Sequence, residues 1–310
     1  AGSGSIVIPA MVREGYSAEE SAAISASSSG IGPLIPPSSP MILYSAVTGT
    51  SLGALFIAGL IPGLLLGLTF MILVSLLAIR RKWKRHGSFS AGEILRTGRR
   101  GILAFGMPGI IVGGLVFGVF TPSESGAFAV VYAIVLSMFV YRSLSLRGLY
   151  RVFVVALTMT GELLVIVSLS FALGSSLSSA HVPQALAELI DLFTFGDNML
   201  MRLVLLMLLA IIAGMFLDPL IPVLVPVILP TLILYDVDLL HFGVLMVMAV
   251  VIGQLTPPLA IALIITSRIA NTDQLRIFVA NVPFFVAILV FTAILLAFPQ
   301  LATWLPSQMR

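Results

Sequence analysis

Ile31-Gly32-Pro33-Leu34-Ile35-Pro36-Pro37 and Ile252-Gly253-Gln254-Leu255-Thr256-Pro257-Pro258 are two versions of one pattern, 221 positions apart. The same spacing, without gaps, pairs Pro9 with Pro230 and Pro62 with Pro283. It also pairs Ile8 with Leu229, and Ile42 and Leu43 with Leu263 and Ile264. Apolar matches are cheap in so apolar a chain. Four prolines in one register, two of them adjacent, are not, and they identify an internal repeat. Proline removes a backbone donor and clashes with the preceding turn, so an adjacent pair breaks a helix. The first break is enriched in Ser27, Ser28, Ser29, Gly30 and Gly32, and the second carries Gln254 and Thr256.

The solvent around these breaks follows from composition. The chain of 310 residues is 59% hydrophobic and 9% charged, with a mean hydropathy of +1.15. Soluble domains carry about 25% charged residues, so the missing solvent is lipid. Residues 52–79 and 277–298 hold no charge, and each exceeds the roughly 20 apolar residues of a membrane span. The absence of cysteine excludes disulfides, thiol catalysis and thiolate metal sites. His86, His181 and His241 show no ligand spacing. The pI near 9.5 reflects a Lys/Arg excess that sets topology rather than nucleic-acid binding. The chain opens Ala1-Gly2-Ser3-Gly4 without a charged leader, as if entered inside a structural element.

Eleven of the sixteen Lys and Arg lie in two loops. Arg80, Arg81, Lys82, Lys84, Arg85, Arg96, Arg99 and Arg100 form one, and Arg142, Arg147 and Arg151 the other. Both loops are expected on the cytoplasmic side, where they also suit anionic headgroups. Residues 101–141 between them fit two spans, joined at Phe120-Thr121-Pro122-Ser123-Glu124-Ser125 by a turn with an N-cap-like serine and acid in the first turn. A further span starts at Val152 and runs outward to about Leu173. Residues 180–198 carry Glu188, Asp191 and Asp197 without Lys or Arg, and place Leu186, Leu189, Ile190 and Phe193 at helical spacing. They are expected to form an amphipathic helix on the outer surface. With 52–79 running inward and 277–298 outward from a loop holding Arg268 and Arg276, the two copies are inverted. Inverted repeats with sites at their interface mark secondary transporters.

Residues 199–234 are too long and too interrupted for one span, reading Gly214-Met215-Phe216-Leu217-Asp218-Pro219 before Pro222, Pro226 and Pro230. The expectation is a re-entrant hairpin with its tip near Asp218. An intramembrane carboxylate is a functional candidate by default, with helix capping at an aqueous boundary the plainer alternative. Non-helical backbone at membrane depth must be buried in protein or line a cavity. Its carbonyls, hydroxyls and half-helix ends suit a small cation or an anionic group. Proline kinks satisfied by neighbouring helices would need no ligand. By the 221 spacing, the first copy's counterpart of Asp218 falls before Ala1.

The chain resembles the large membrane subunit of the TRAP (tripartite ATP-independent periplasmic) transporters. The resemblance is carried by residues 4–11 (GSIVIPAM), Gly15-Tyr16, 28–40 (SSGIGPLIPPSSP), 59–67 (GLIPGLLLG), 120–129 (FTPSESGAFA), 214–219 (GMFLDP), 241–243 and 255–258 (LTPP). Ser39, where the family often has Ile, departs mildly from the pattern. It implies an all-α polytopic membrane protein, an inverted-repeat elevator with re-entrant hairpins and broken helices. The domains are then residues 1–79 (transport repeat one), 80–100 (basic cytoplasmic loop), 101–177 (scaffold helices), 178–198 (extracytoplasmic helix) and 199–310 (transport repeat two). The resemblance implies two Na+ sites, carried here to Ser28, Ser29, Gly32 and Pro36, and to Gly214, Met215, Asp218, Gly253 and Thr256. Ser38, Ser39, Pro257 and Pro258 are the corresponding substrate-binding candidates. It further implies sodium-coupled import of an organic acid across the bacterial or archaeal inner membrane. The expected partners are a small membrane subunit, a periplasmic substrate-binding protein and the lipid bilayer, with no nucleic acid. The family subunit is longer at its N-terminus, so three scaffold helices and most of one hairpin are expected to precede this sequence.

Two rival readings exist. An intramembrane hydrolase could use Ser3 of Gly2-Ser3-Gly4, but it needs a base within hydrogen-bond reach, and His181 and His241 fall in loops or helix starts. A stand-alone elevator carrier, driven by sodium or by protons at Asp218 or Glu162, is compatible with composition. Glu162 also suits a contact with a partner subunit.

Overall fold

The structure, a computed structural model, describes residues 2–83, 91–194 and 198–308. Helices account for the regular structure of these residues, with no strand among them. Contacts divide the chain into two compact units, one of residues 1–86 and 173–310, the other of 87–172. Among the described residues, four helical stretches are long and apolar enough to cross a membrane: Leu52–Arg80, Pro122–Val140, Leu146–Ser179 and Gln274–Ala297.

The first unit contains the repeat, matched element for element. Helix α1 (Gly2–Arg13) leads into α2 (Ala18–Ser29), then α3 (Ser39–Thr48) and α4 (Leu52–Arg80). Skipping ahead to the second copy, α10 (Leu220–Leu234), α11 (Leu239–Leu255), α12 (Ile261–Ala270) and α13 (Gln274–Ala297) repeat that order. Pro9 and Pro230 sit inside α1 and α10, and Pro62 and Pro283 inside α4 and α13. The Pro36-Pro37 and Pro257-Pro258 bonds are both cis.

The copies run antiparallel, as expected. At one face, Glu20 in the first turn of α2 pairs with Arg81 at the end of α4. There the Thr272 hydroxyl, just past α12, also donates to Glu19 at 3.0 Å. At the opposite face, Tyr44 of α3 donates to the Leu239 carbonyl at the start of α11 at 2.8 Å. His241 of α11 bonds Leu295 near the end of α13 at 2.8 Å. The start of each broken helix therefore meets the end of its own copy's last helix and a residue of the other copy. Core burial follows: α11 is buried almost throughout, whereas α4 buries Phe56, Gly59, Leu66 and Phe70 and exposes Leu64, Leu68, Met71, Ile72 and Leu76. That exposed stripe at helical spacing is what lipid requires.

Helix α9 (Met199–Gly214) and α10 form the expected hairpin, with Met215–Pro219 as the turn. At 16 and 15 residues the legs are about 24 Å and 22 Å long, short of the roughly 30 Å hydrocarbon core. Their outer ends meet, with the Arg202 guanidinium 4.5 Å from the Tyr235 ring centre and its Nε 3.0 Å from Asp191.

Asp191 belongs to α8 (Val182–Phe193), the amphipathic helix expected at 178–198, and Asp197 of that expectation lies outside the described residues. Its packed face lies beside the apolar face that the spacing marked. Pro183, Ala187 and Ile190 are buried, while Leu189 and Phe193 are exposed. The reason is close approach: Thr231 and Tyr235 hydroxyls donate to the Pro183 and Ala187 carbonyls, which needs small side chains on that face. Helix α8 therefore sits within the first unit.

The second unit comprises α5 (Ala91–Val116), α6 (Pro122–Val135) continued by a π-helical turn at Leu136–Val140, and the first part of α7 (Leu146–Ser179). The N-cap of α6 is Thr121 rather than a serine. Glu124 closes a capping box with it, and Pro122 takes the first helical position, where a missing N–H costs nothing. An apolar groove of about 690 Å³ lies among Ile111, Ala129, Ala133, Phe153 and their neighbours. Glu162 is exposed midway along α7. Lys84, Arg85 and His86 of the basic loop lie outside the described residues.

Candidate functional site

The two breaks lie in the first unit. Pro257 and Pro258 remove the N–H groups that would bond the Gly253 and Gln254 carbonyls. The Thr256 N–H reaches the Gly253 carbonyl instead at 3.2 Å, and the Thr256 hydroxyl donates to Ile252 at 2.6 Å. In the first copy, Pro36 and Pro37 free the Gly32 and Pro33 carbonyls. Ser38 donates its hydroxyl to Pro33 and accepts from Met41 N–H, so it closes the break and caps α3. Ala260 takes the equivalent place before α12 in a left-handed conformation, without a side-chain cap.

The hairpin turn closes on the second break. A Cβ on Gly253 would stand 2.3 Å from the Gly214 carbonyl oxygen and 2.6 Å from its carbon, so the two backbones touch. Against this contact lies a cavity of about 10 Å³, bounded by Gly214, Leu217, Asp218, Val250, Gly253 and Gln254. That is the scale of one water molecule or small ion. Asp218 is otherwise exposed at the hairpin tip. One cavity thus brings together Gly214, Asp218 and Gly253, three of the five second-copy candidates. Met215 stays half-buried in the turn and Thr256 half-buried beyond the break, neither at the cavity wall.

A larger cavity of about 170 Å³ lies between α1, α2 and α12. Ser3, Ser25, Ser29, Gln254 and Thr266 supply its polar wall. Ile261 and Ala262, the first residues of α12, also line it, so a helix N-terminus with unpaired N–H groups and positive partial charge faces this space. Hydroxyls, an amide and a helix N-terminus are donors suited to a carboxylate. Of the first-copy candidates only Ser29 reaches this wall, its hydroxyl donating to Ala26 at 2.6 Å. Ser28, Gly32 and Ser39 are exposed, as is Pro258, while Pro36 is buried and Pro257 half-buried. Ser3, Ser25, Gln254 and Thr266 were not among the expected site residues. Gln254 carried a signal, as a polar side chain inside a break, but nothing set Ser3, Ser25 and Thr266 apart from the other hydroxyls of α1, α2 and α12 as wall residues.

Among the described residues no three His, Asp or Glu side chains converge as metal ligands. A cation here would be held by oxygens of the Gly214 and Gly253 backbone, of Gln254 and of Asp218, the ligand type of a hard cation. Ser3 shares its cavity with no His, Asp or Glu, so no base attends it.

The sequence model of the family described as "Tripartite ATP-independent periplasmic transporter, DctM component" matches residues 1–301. The chain is 34% identical over 306 residues to the C4-dicarboxylate TRAP transporter large permease protein DctM of Pseudomonas aeruginosa, covering 98% of this chain and 71% of that protein. It is 33% identical to the ectoine TRAP transporter large permease protein TeaC of Halomonas elongata, covering 97% and 71%. To the sialic acid TRAP transporter permease protein SiaT of Haemophilus influenzae it is 31% identical, covering 99% of this chain and 50% of that protein.

Proposed function

The chain belongs to the DctM component family of tripartite ATP-independent periplasmic transporters, and from that premise we propose that it imports an organic acid together with sodium ions by an elevator movement of its first unit. It is a large permease subunit of the inner membrane and not an enzyme. Such permeases work with a small membrane subunit and a periplasmic binding protein. Names of similar proteins cite C4-dicarboxylate, sialic acid and ectoine, all of which carry a carboxylate.

The observation that carries the sodium reading is the contact of hairpin tip and second break. It sets Asp218 beside Gly214 and Gly253 around a cavity of about 10 Å³. The neighbouring polar cavity of about 170 Å³, faced by the N-terminus of α12, supports binding of the substrate carboxylate there. Because one unit holds both breaks and the hairpin, it can carry ion and substrate together. Glu162, exposed midway along α7, is costly in bare lipid and fits coverage by the small membrane subunit.

The test is uptake into proteoliposomes holding both membrane subunits, with binding protein added outside and succinate, N-acetylneuraminate and ectoine as probes. Uptake of at least one probe is expected only with an inward sodium gradient. Asp218→Ala is expected to raise the half-saturating sodium concentration about tenfold, as for loss of one charged ligand. Unchanged uptake in sodium-free medium would overturn the coupling, and efficient uptake without binding protein would favour a stand-alone carrier.

A further inference from the structure

Two cavities share a wall at the second break, and Gln254 is part of it. On one side is the small cavity with Gly214, Asp218 and Gly253. On the other is the larger cavity with Ser3, Ser25, Ser29 and Thr266. Two residues line both, Gln254 and Ile261, and only Gln254 has polar side-chain atoms. It is half-buried, and its amide makes no hydrogen bond to another described residue. A glutamine amide carries an acceptor oxygen and two N–H donors on one rigid plane. The oxygen suits a cation and the NH2 group suits a carboxylate, and fixing one end aims the other.

We infer that Gln254 is the positioning residue that couples the two cavities. A sodium ion in the small cavity holds the amide oxygen and turns the NH2 group into the larger cavity. There it narrows the space and offers a donor to the substrate carboxylate. Without the ion the amide swings free and that donor is lost. The coupling is reciprocal, so a bound carboxylate also tightens sodium. The inference rests on the sodium reading above, but it concerns a different residue and can fail alone.

The 310 residues hold no cysteine, and, with the unsubstituted complex as the labelling background, Ser3→Cys introduces a thiol at the larger cavity. Its alkylation rate by N-ethylmaleimide is measured on the complex of both membrane subunits, in sodium chloride and in choline chloride. The thermal unfolding midpoint is recorded in parallel. In the Ser3→Cys parent, sodium is expected to slow alkylation about fivefold, the lower end of ordinary coupling factors. Adding Gln254→Leu is expected to make the rate indifferent to sodium, while saturating sodium still raises the unfolding midpoint. Gln254→Glu, which keeps an oxygen for the ion and removes the NH2 group, covers the case of a leucine variant that does not fold, and is expected to lose the rate response too. A sodium response in these variants equal to the parent's overturns the inference and leaves the symport reading standing. Indifference of both rate and midpoint to sodium in the parent overturns both.

Discussion

The two breaks share a backbone device, and each is packed by its own neighbours. At the second, Gly253 lies against the Gly214 backbone of the hairpin, and a cavity of ionic size remains. At the first, the counterpart of Gly214 falls before Ala1 by the 221 spacing, and the contacts among the described residues come from helices. Gly59 of α4 rests on the Leu34 carbonyl, and Gly30 on Val251 of α11. The repeated prolines thus make the opening, while the neighbouring element decides what the opening can hold.

The largest expected effect tests the contact at the second break. Gly253→Ala forces two backbones apart, so it should abolish coupled uptake and lower stability by about 1–3 kcal/mol. Thermal unfolding and uptake of the variant check it, and values equal to the parent's would contradict the contact.

A second contrast is polar against apolar. In the first copy, Ser27 of α2 donates to the Asn281 side-chain oxygen of α13, both fully buried. The equivalent positions of the other copy are Met248 and Leu60. The Asn281 NH2 group has no described partner, so losing Ser27 strands the whole amide. Ser27→Ala should cost about 1–3 kcal/mol, and adding Asn281→Leu should recover part of it, since removing both partners is milder than orphaning one. A double variant worse than the single one would contradict this account of the pair.

The smallest effect belongs to the start of α2, and the start of α11 sets its contrast. Glu20 pairs with Arg81, whose side chain is 42% exposed against 16% for Glu20, so Glu20→Gln should cost less than about 1 kcal/mol and shrink further in salt. His241, at the equivalent position, is 3% exposed and bonds the Leu295 carbonyl. His241→Ala should cost about 1–3 kcal/mol. Melting curves at two salt concentrations separate them, and a salt-sensitive His241→Ala would reverse the assignment.

Much of this architecture could be read from the sequence because proline is a physical instruction. An adjacent pair breaks a helix, so Pro36-Pro37 and Pro257-Pro258 announced both breaks, and Asp218-Pro219 the hairpin tip, whereas single prolines such as Pro62, Pro226, Pro230 and Pro283 sit inside continuous helices. The contact of Gly214 with Gly253 had no such signal, since glycine marks a close approach without naming the partner. The packed face of α8 had no signal of size: Leu189 and Phe193 marked the apolar face and stay exposed, while close approach selected Pro183 and Ala187. The Ser27–Asn281 pair was hidden for a third reason, being one serine in a serine-rich run and one asparagine whose counterpart is leucine.

The central claim is that the two copies face opposite sides of the membrane. Thr50, before α4, and Asn271, before α13, are equivalent loop positions 221 apart. As single cysteines in this cysteine-free chain, they can be tested with a membrane-impermeant maleimide on intact spheroplasts and on inverted vesicles. Thr50→Cys should react only from outside and Asn271→Cys only from the cytoplasmic side. Labelling of both from the same side would contradict the inverted repeat and the transport reading built on it.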